Sequence, residues 1–187
     1  MIINLRGTNG SGKSTVIFQL LDGRTVEVVD LAHYKSKAGK DRHVEGYHCA
    51  ELELIVVGRY ATACGGCDGI PTQDLICEAV RKASTLAQNV LFEGVIVSTL
   101  FSRYSELAKE LGNKRFLFAY MDTPLETCLS RIQKRNGGKP IKEDLVASKV
   151  RAILSTREKA LAAGHTVVDV PHKDATKAIL NLIRRKK

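Results

Sequence analysis

Gly7-Thr8-Asn9-Gly10-Ser11-Gly12-Lys13-Ser14-Thr15 decides the fold. It fits G-x-x-x-x-G-K-[ST], the phosphate-binding (Walker A) pattern, whose meaning depends on what flanks it. Upstream, Met1 to Arg6 is a short apolar run of the kind that forms a buried parallel strand. Downstream, Val16, Ile17, Leu20 and Leu21 recur at helical spacing. Glycines let the backbone wrap an anion closely, so successive N–H groups converge on phosphate oxygens at a helix N-terminus. Lys13 offers charge to the terminal phosphates, and the Ser14 hydroxyl suits Mg²⁺. An ordinary Gly/Ser turn is the weaker reading once strand, Gly-Lys-Ser and helix stand in order. The stretch from Gly7 to Thr15 therefore implies a bound nucleoside triphosphate.

Outward from the loop, Gly23 closes the first helix, and Thr25 to Asp30 reads as a second strand ending in a carboxylate. Ligands in parallel sheets lie off the carboxyl ends of strands. Asp30 is thus the candidate general base, or the group that orients an acceptor hydroxyl; a helix-capping or loop aspartate is the alternative. The segment Leu31 to His43 carries four positive charges and a tyrosine. It reads as a solvated loop, or as a contact to an anionic acceptor's backbone. His33 and Tyr34 are close enough to Asp30 in sequence to line the same pocket.

Leu52 to Val57 is another short strand or the end of a helix. It leads into Gly58-Arg59-Tyr60 and on to Pro71, with four glycines and a proline in an irregular loop. Arg59 and Tyr60 suit a phosphate and a nucleobase, by charge and by stacking. Asp68, in the same loop, is a further substrate contact and, with Glu93, the reserve for the role given to Asp30. Cys64-x-x-Cys67 lacks a second such pair, and His48 with Cys49 completes a zinc set only at an unusual spacing. A tight loop whose glycines admit a ligand is the simpler account.

Thr72 to Asn89 has the apolar periodicity of a helix. Val90-Leu91-Phe92-Glu93-Gly94 then reads as a buried strand ending in an acid, and Glu93 suits the Mg²⁺ shell. Ser98 caps a helix that closes at Gly112, with Arg103 one turn in and turned toward the acceptor. Arg115 to Asp122 is a strand, and Thr123-Pro124-Leu125-Glu126 has the form of a capping box. In the following helix Arg131 and Arg135 share one side, ahead of a break at Asn136-Gly137-Gly138-Lys139-Pro140. Paired arginines beside a glycine-rich break suit a lid of about residues 131–145; an exposed basic face is the alternative. A long helix to about Ala163, a strand Thr166 to Val170 and a terminal helix complete the chain. Pro171-His172-Lys173 falls near the adenine, and Arg184-Arg185-Lys186-Lys187 is a basic tail. Strands alternating with helices imply one sheet, parallel in the main, with helices on both faces.

The 187 residues suit a single domain with a sizeable core. No stretch is apolar enough to span a bilayer and no leader fits ahead of the first strand, so a cytoplasmic protein is expected. Five cysteines, an odd number, read there as reduced thiols. Lys plus Arg number 29 against 20 Asp plus Glu, a net of +9. That balance tilts toward a polyanionic partner such as DNA or RNA.

G-T-N-G-S-G-K-S-T, Asp30, L-F-E-G at 91–94 and M-D-T-P-L-E-T-C-L-S-R-I-Q-K-R at 121–135 together resemble the phosphate-loop kinases, which include nucleoside, nucleotide, gluconate and polynucleotide kinases. The resemblance covers nearly the whole chain. It implies a three-layer α/β/α fold on a five-stranded sheet of order 2-3-1-4-5, with ATP and Mg²⁺ as cofactors. It also implies Arg131 and Arg135 in the lid, and Asp30 in acceptor activation within an acceptor region of about residues 30–71. Gly58 to Pro71 departs from the small-molecule kinases. With the positive balance, that loop is similar to bacteriophage DNA kinases that phosphorylate 5-hydroxymethyluracil in DNA during thymine hypermodification. A base in a duplex would have to be flipped to be reached, which gives Tyr60 and the glycine loop a purpose. The rival expectations are a kinase of free nucleosides, nucleotides or other metabolites, and a non-catalytic ATP-dependent nucleic-acid-binding module. A regulatory GTPase is disfavoured, since no N-K-x-D-type signature occurs.

Overall fold

A computed structural model describes residues 1–61 and 65–184. Among the described residues seven strands form one sheet: β1 (Ile2–Arg6), β2 (Glu27–Lys35), β3 (Asp41–Cys49), β4 (Leu54–Val57), β5 (Asn89–Glu93), β6 (Phe116–Asp122) and β7 (Thr166–Pro171). The helices are α1 (Lys13–Leu21), α2 (Gln73–Leu86), α3 (Val95–Thr99), α4 (Ser102–Leu111), α5 (Leu125–Arg135), α6 (Glu143–Ala162) and α7 (Ala175–Arg184). The sheet order is β2-β3-β4-β5-β1-β6-β7. From β4 to β7 all neighbours are parallel, while β2 and β3 are antiparallel to each other and β3 to β4.

The period of two along β1 sorts its side chains between two cores. Ile3 and Leu5 face Val16, Ile17 and Leu20 of α1 and Ile179, Leu182 and Ile183 of α7. Ile2 faces the opposite layer with Ile76, Val80 and Ala83 of α2 and Tyr104 and Leu107 of α4. Because β1 is central, Ile2, Ile3 and Leu5 are fully buried, and truncating one to alanine would cost about 2–5 kcal/mol. The phosphate loop therefore leaves a strand that is buried along its whole length.

The three-layer architecture matches the sequence expectation, but the sheet has seven strands rather than five. The strand lying beside β5 is β4, not the segment ending at Asp30. With β4 in second place, the parallel core β4-β5-β1-β6-β7 has the expected order 2-3-1-4-5. The segment containing Asp30 instead folds onto Asp41–Cys49 as a hairpin at the sheet edge. Two helix starts also differ. Ser98 lies within α3 rather than capping a helix, and a break at Leu100 and Phe101 separates α3 from α4. At the start of α5, Pro124 is the cap and no side chain closes a capping box. The Thr123 hydroxyl donates instead to the Ser11 carbonyl of the phosphate loop, at 2.9 Å.

Candidate active site

The loop from Gly7 to Gly12 joins β1 to α1 at the carboxyl end of the parallel strands. Gly10 has φ +75°, and a side chain there would run into the backbone of Cys128 in α5, so only glycine fits. Around the loop opens a cavity of about 880 Å³, lined by Thr8, Lys13, Ser14, Gly65, Asp68, Glu93, Arg131 and Arg135 among others. Its size is that of a site for a molecule such as a nucleotide.

Lys13 is buried and donates to the carbonyls of Gly7 at 2.8 Å and Thr8 at 3.2 Å. Glu93 ends β5 beside it, with Oε2 3.7 Å from the ammonium. Ser14 donates its hydroxyl to Glu93 Oε1 at 2.8 Å. Burial pushes the Lys13 ammonium down and the Glu93 carboxyl up, and each group's charge opposes the shift of the other. The buried Thr8 hydroxyl has no hydrogen-bond partner among the described residues.

The loop's start is held from the opposite layer. Gly7 N–H donates to Ser98 Oγ at 3.1 Å. Arg6, fully buried, donates to the carbonyls of Ser98 and Leu100 and to Thr156 Oγ1. Its guanidinium also lies 4.9 Å from the Phe118 ring centroid. Burial lowers it to about 10, so it stays charged at neutral pH directly beneath the phosphate loop. Neither Arg6 nor Ser98 was singled out by sequence as a support for the loop; a lone cation in an otherwise apolar strand, immediately before the first glycine, is the signal for Arg6.

From the other side, Arg131 donates to the carbonyls of Gly10 at 3.2 Å and Ser11 at 3.3 Å, and Arg135, one turn on, lines the same cavity. His172 and Lys173 line its far wall with Asp174 and Thr176. Asp68 accepts from the N–H groups of Val95 at 2.8 Å and Ile96 at 3.0 Å, which fixes its carboxylate at the start of α3 beside Gly94.

The remaining acceptor candidates lie elsewhere. Asp30 is 54% exposed on the edge hairpin, 3.4 Å from His43. Pairing registers put it level with Glu93 but three strands away, about 14 Å at the usual strand spacing. The expectation that it ends a strand beside the loop is corrected, because β4 holds that place. His33 and Tyr34 lie on the same hairpin, beyond the cavity lining, with His33 stacked edge-on against His43. Arg103 pairs with Asp74 of α2 and Glu106 of α4 and does not line the cavity. Arg59 is 73% exposed and 3.8 Å from Glu45.

Tyr60 is a core residue, not an exposed stacking surface. It packs against Phe18 and Tyr47, and burial pushes its phenol up. Its hydroxyl has no partner among the described residues. Cys67 is buried with its thiol toward the Val57 carbonyl. Cys49 lies in the core on the opposite sheet face, so those two do not converge on one metal. Cys64, and with it the C-x-x-C pair, lies outside the described residues, as do Arg185 to Lys187. Among the described residues no helix is long and apolar enough to cross a membrane.

A sequence model of the 5-hmdU DNA kinase family matches residues 1–179. The chain is 40% identical to the 5-hmdU DNA kinase of Pseudomonas phage M6, across 97% of this chain and 96% of that protein. It is 34% identical to the 5-hmdU DNA kinase of Pseudomonas phage PaMx11, with the same coverage of both chains. Among solved structures, a shikimate kinase from Acinetobacter baumannii in complex with shikimate aligns over 97% of this chain and 92% of that one. The TM-score of that alignment is 0.45 and the identity 19%.

Proposed function

The chain belongs to the 5-hmdU DNA kinase family, and from that premise we propose that it transfers the γ-phosphoryl group of ATP to the hydroxymethyl oxygen of 5-hydroxymethyluracil in DNA. One observation carries the reading: a single cavity unites Lys13, the Ser14–Glu93 pair, Asp68 and two arginines. These are the charges that phosphoryl transfer to a hydroxyl requires.

The residues fit the triphosphate. Lys13 and Arg131 rest on carbonyls of the loop itself, so cations and N–H groups already ring the place an anion would fill. Ser14 and Glu93 offer one hydroxyl and one carboxylate oxygen, the hard donors Mg²⁺ takes alongside phosphate oxygens and water. Mg²⁺, when bound, supplies positive charge to the phosphate oxygens. Lys13 turns from the Gly7 and Thr8 carbonyls to those phosphates, and Arg131 with Arg135 offsets charge on the moving group.

Asp68 takes the part the sequence suggested for Asp30. Two backbone N–H groups fix its carboxylate within the cavity, leaving it able to orient the hydroxymethyl group and receive its proton. The O–H bond breaks toward Asp68 as the new P–O bond forms, and the bond to ADP breaks. A target base leaves the stack to reach this recess, at a cost of a few kcal/mol. The relatives come from bacteriophages, so the working compartment is the cytoplasm of the infected host.

The test offers γ-labelled ATP with hydroxymethyluracil DNA, unmodified DNA bearing 5′-hydroxyl ends, and free nucleosides. Label enters the modified DNA alone if the reading holds. Label on free nucleosides makes the chain a small-molecule kinase, and label on none makes it a binding module.

A further inference from the structure

The β2–β3 hairpin reaches well beyond the sheet that anchors it. Only Gly46–Cys49 of β3 pair with β4, while Asp41–Val44 pair with Ala32–Lys35 of β2 alone. Four residues separate Glu45, level with Glu93, from Asp41, so the hairpin runs about 13 Å past the ligand end of the parallel strands. It is an ordered arm. Leu31, Ala32 and Val44 are buried in the same core as Ile76 and Val80 of α2. Its tip is closed by Ser36 N–H to the Lys40 carbonyl at 2.8 Å and Gly39 N–H to the Ser36 carbonyl at 2.8 Å.

The arm's exposed side chains are strongly basic. Lys35, Lys37, Lys40 and Arg42 are all exposed, and among the described residues none of the four forms a salt bridge. The nearby acids are engaged: Asp30 with His43, and Glu45 with Arg59. Asp41 is the remaining acid on the distal half.

Resting on the functional reading above, we infer that this hairpin is a DNA-docking arm that grips backbone phosphates flanking the target base. β2 lies about 14 Å sideways from β5 and its end about 13 Å forward, a diagonal of about 19 Å. At 3.4 Å per step that is between five and six base pairs of duplex from the base being phosphorylated. The arm thus contributes to holding DNA without reading its sequence. Its four cations supply part of the chain's net charge of +9.

The test replaces Lys35, Lys37, Lys40 and Arg42 with glutamine together and measures transfer to duplexes trimmed from one side or the other. For the wild-type chain, lengthening one flank past about five base pairs should lower KM by about tenfold or more. The variant should match wild type on short flanks and lose that gain on long ones. On unmodified duplex its slope of log Kd against log salt should be shallower by about 3.6 if all four cations meet phosphates. A retained flank effect with an unchanged slope overturns the arm, as does an equal loss on short and long substrates. Self-association of the variant with unchanged KM would return these residues to guarding an open sheet edge. If wild type labels no hydroxymethyluracil DNA of any length, the functional reading fails; the salt slope on plain duplex then still decides the arm.

Discussion

Gly66→Ala is expected to damage the site from a position that touches no substrate. Gly66 has φ +101° and ψ −159°, a region essentially confined to glycine. Forcing alanine into it costs about 1–3 kcal/mol. The added methyl would also lie 2.7 Å from the Glu93 carbonyl oxygen and 2.7 Å from its Oε1. Either the loop lifts away from Glu93 or the carboxylate moves, and in the second case the Ser14–Glu93 pair separates. For a chain of this length 1–3 kcal/mol corresponds to a fall in Tm of about 2–12 °C. Misplacing a group in the reaction centre by an ångström costs on the order of 10²-fold in rate. Thermal melting and a Mg²⁺ titration of the transfer rate check both effects. The titration should show more Mg²⁺ needed for half-maximal activity. Gly69→Ala, at a position with nothing within 4 Å, is the neutral control. A Gly66→Ala protein with wild-type Tm and wild-type Mg²⁺ response would refute the close approach of this loop to Glu93.

Asp68→Asn should lower kcat by about 10²–10⁴ while Asp30→Asn leaves it within about twofold; steady-state kinetics with both variants settle the exchange of roles, and the reverse ranking restores Asp30. Tyr60→Phe removes a buried hydroxyl that has no partner among the described residues, so stability should be unchanged or raised by up to about 1 kcal/mol and KM for DNA should not move. A rise in that KM would mean the hydroxyl meets the substrate. Glu93 has its carboxyl raised by burial, and metal binding needs the ionised form. The Mg²⁺ requirement should therefore climb as pH falls through a value above the ordinary carboxylate range. Mg²⁺ titrations at a series of pH values check this, and a break at or below the usual glutamate range contradicts it.

The parts legible in the sequence are those with a strong local signal. The strand-loop-helix around Lys13 has a motif, α2 has an apolar stripe, and Glu93 ends an uninterrupted apolar run. Arg131 and Arg135 fall at helical spacing ahead of a glycine break. The hairpin strand β3 was invisible because Asp41–Cys49 lies half exposed, with Gly46 within it and polar residues on both faces. Missing it misassigned the strand beside β5, and Asp30 followed that error away from the loop. Strand order is a matter of non-local pairing, which periodicity does not encode. The same holds for Thr123 and Ser98, whose hydroxyls meet the phosphate loop only once distant elements pack. Tyr60 misled for the opposite reason: an aromatic in a glycine-rich loop looks exposed, yet this loop folds its tyrosine inward onto Phe18.

The most direct test of the account is where the phosphate ends up. Hydroxymethyluracil DNA treated with the chain and ATP is digested to nucleosides, and the products are separated and weighed by mass spectrometry. The account predicts a phosphate ester on the hydroxymethyl oxygen of the base, lost in Lys13→Ala. Phosphate found only at strand ends, or on free nucleosides in place of DNA, would contradict it.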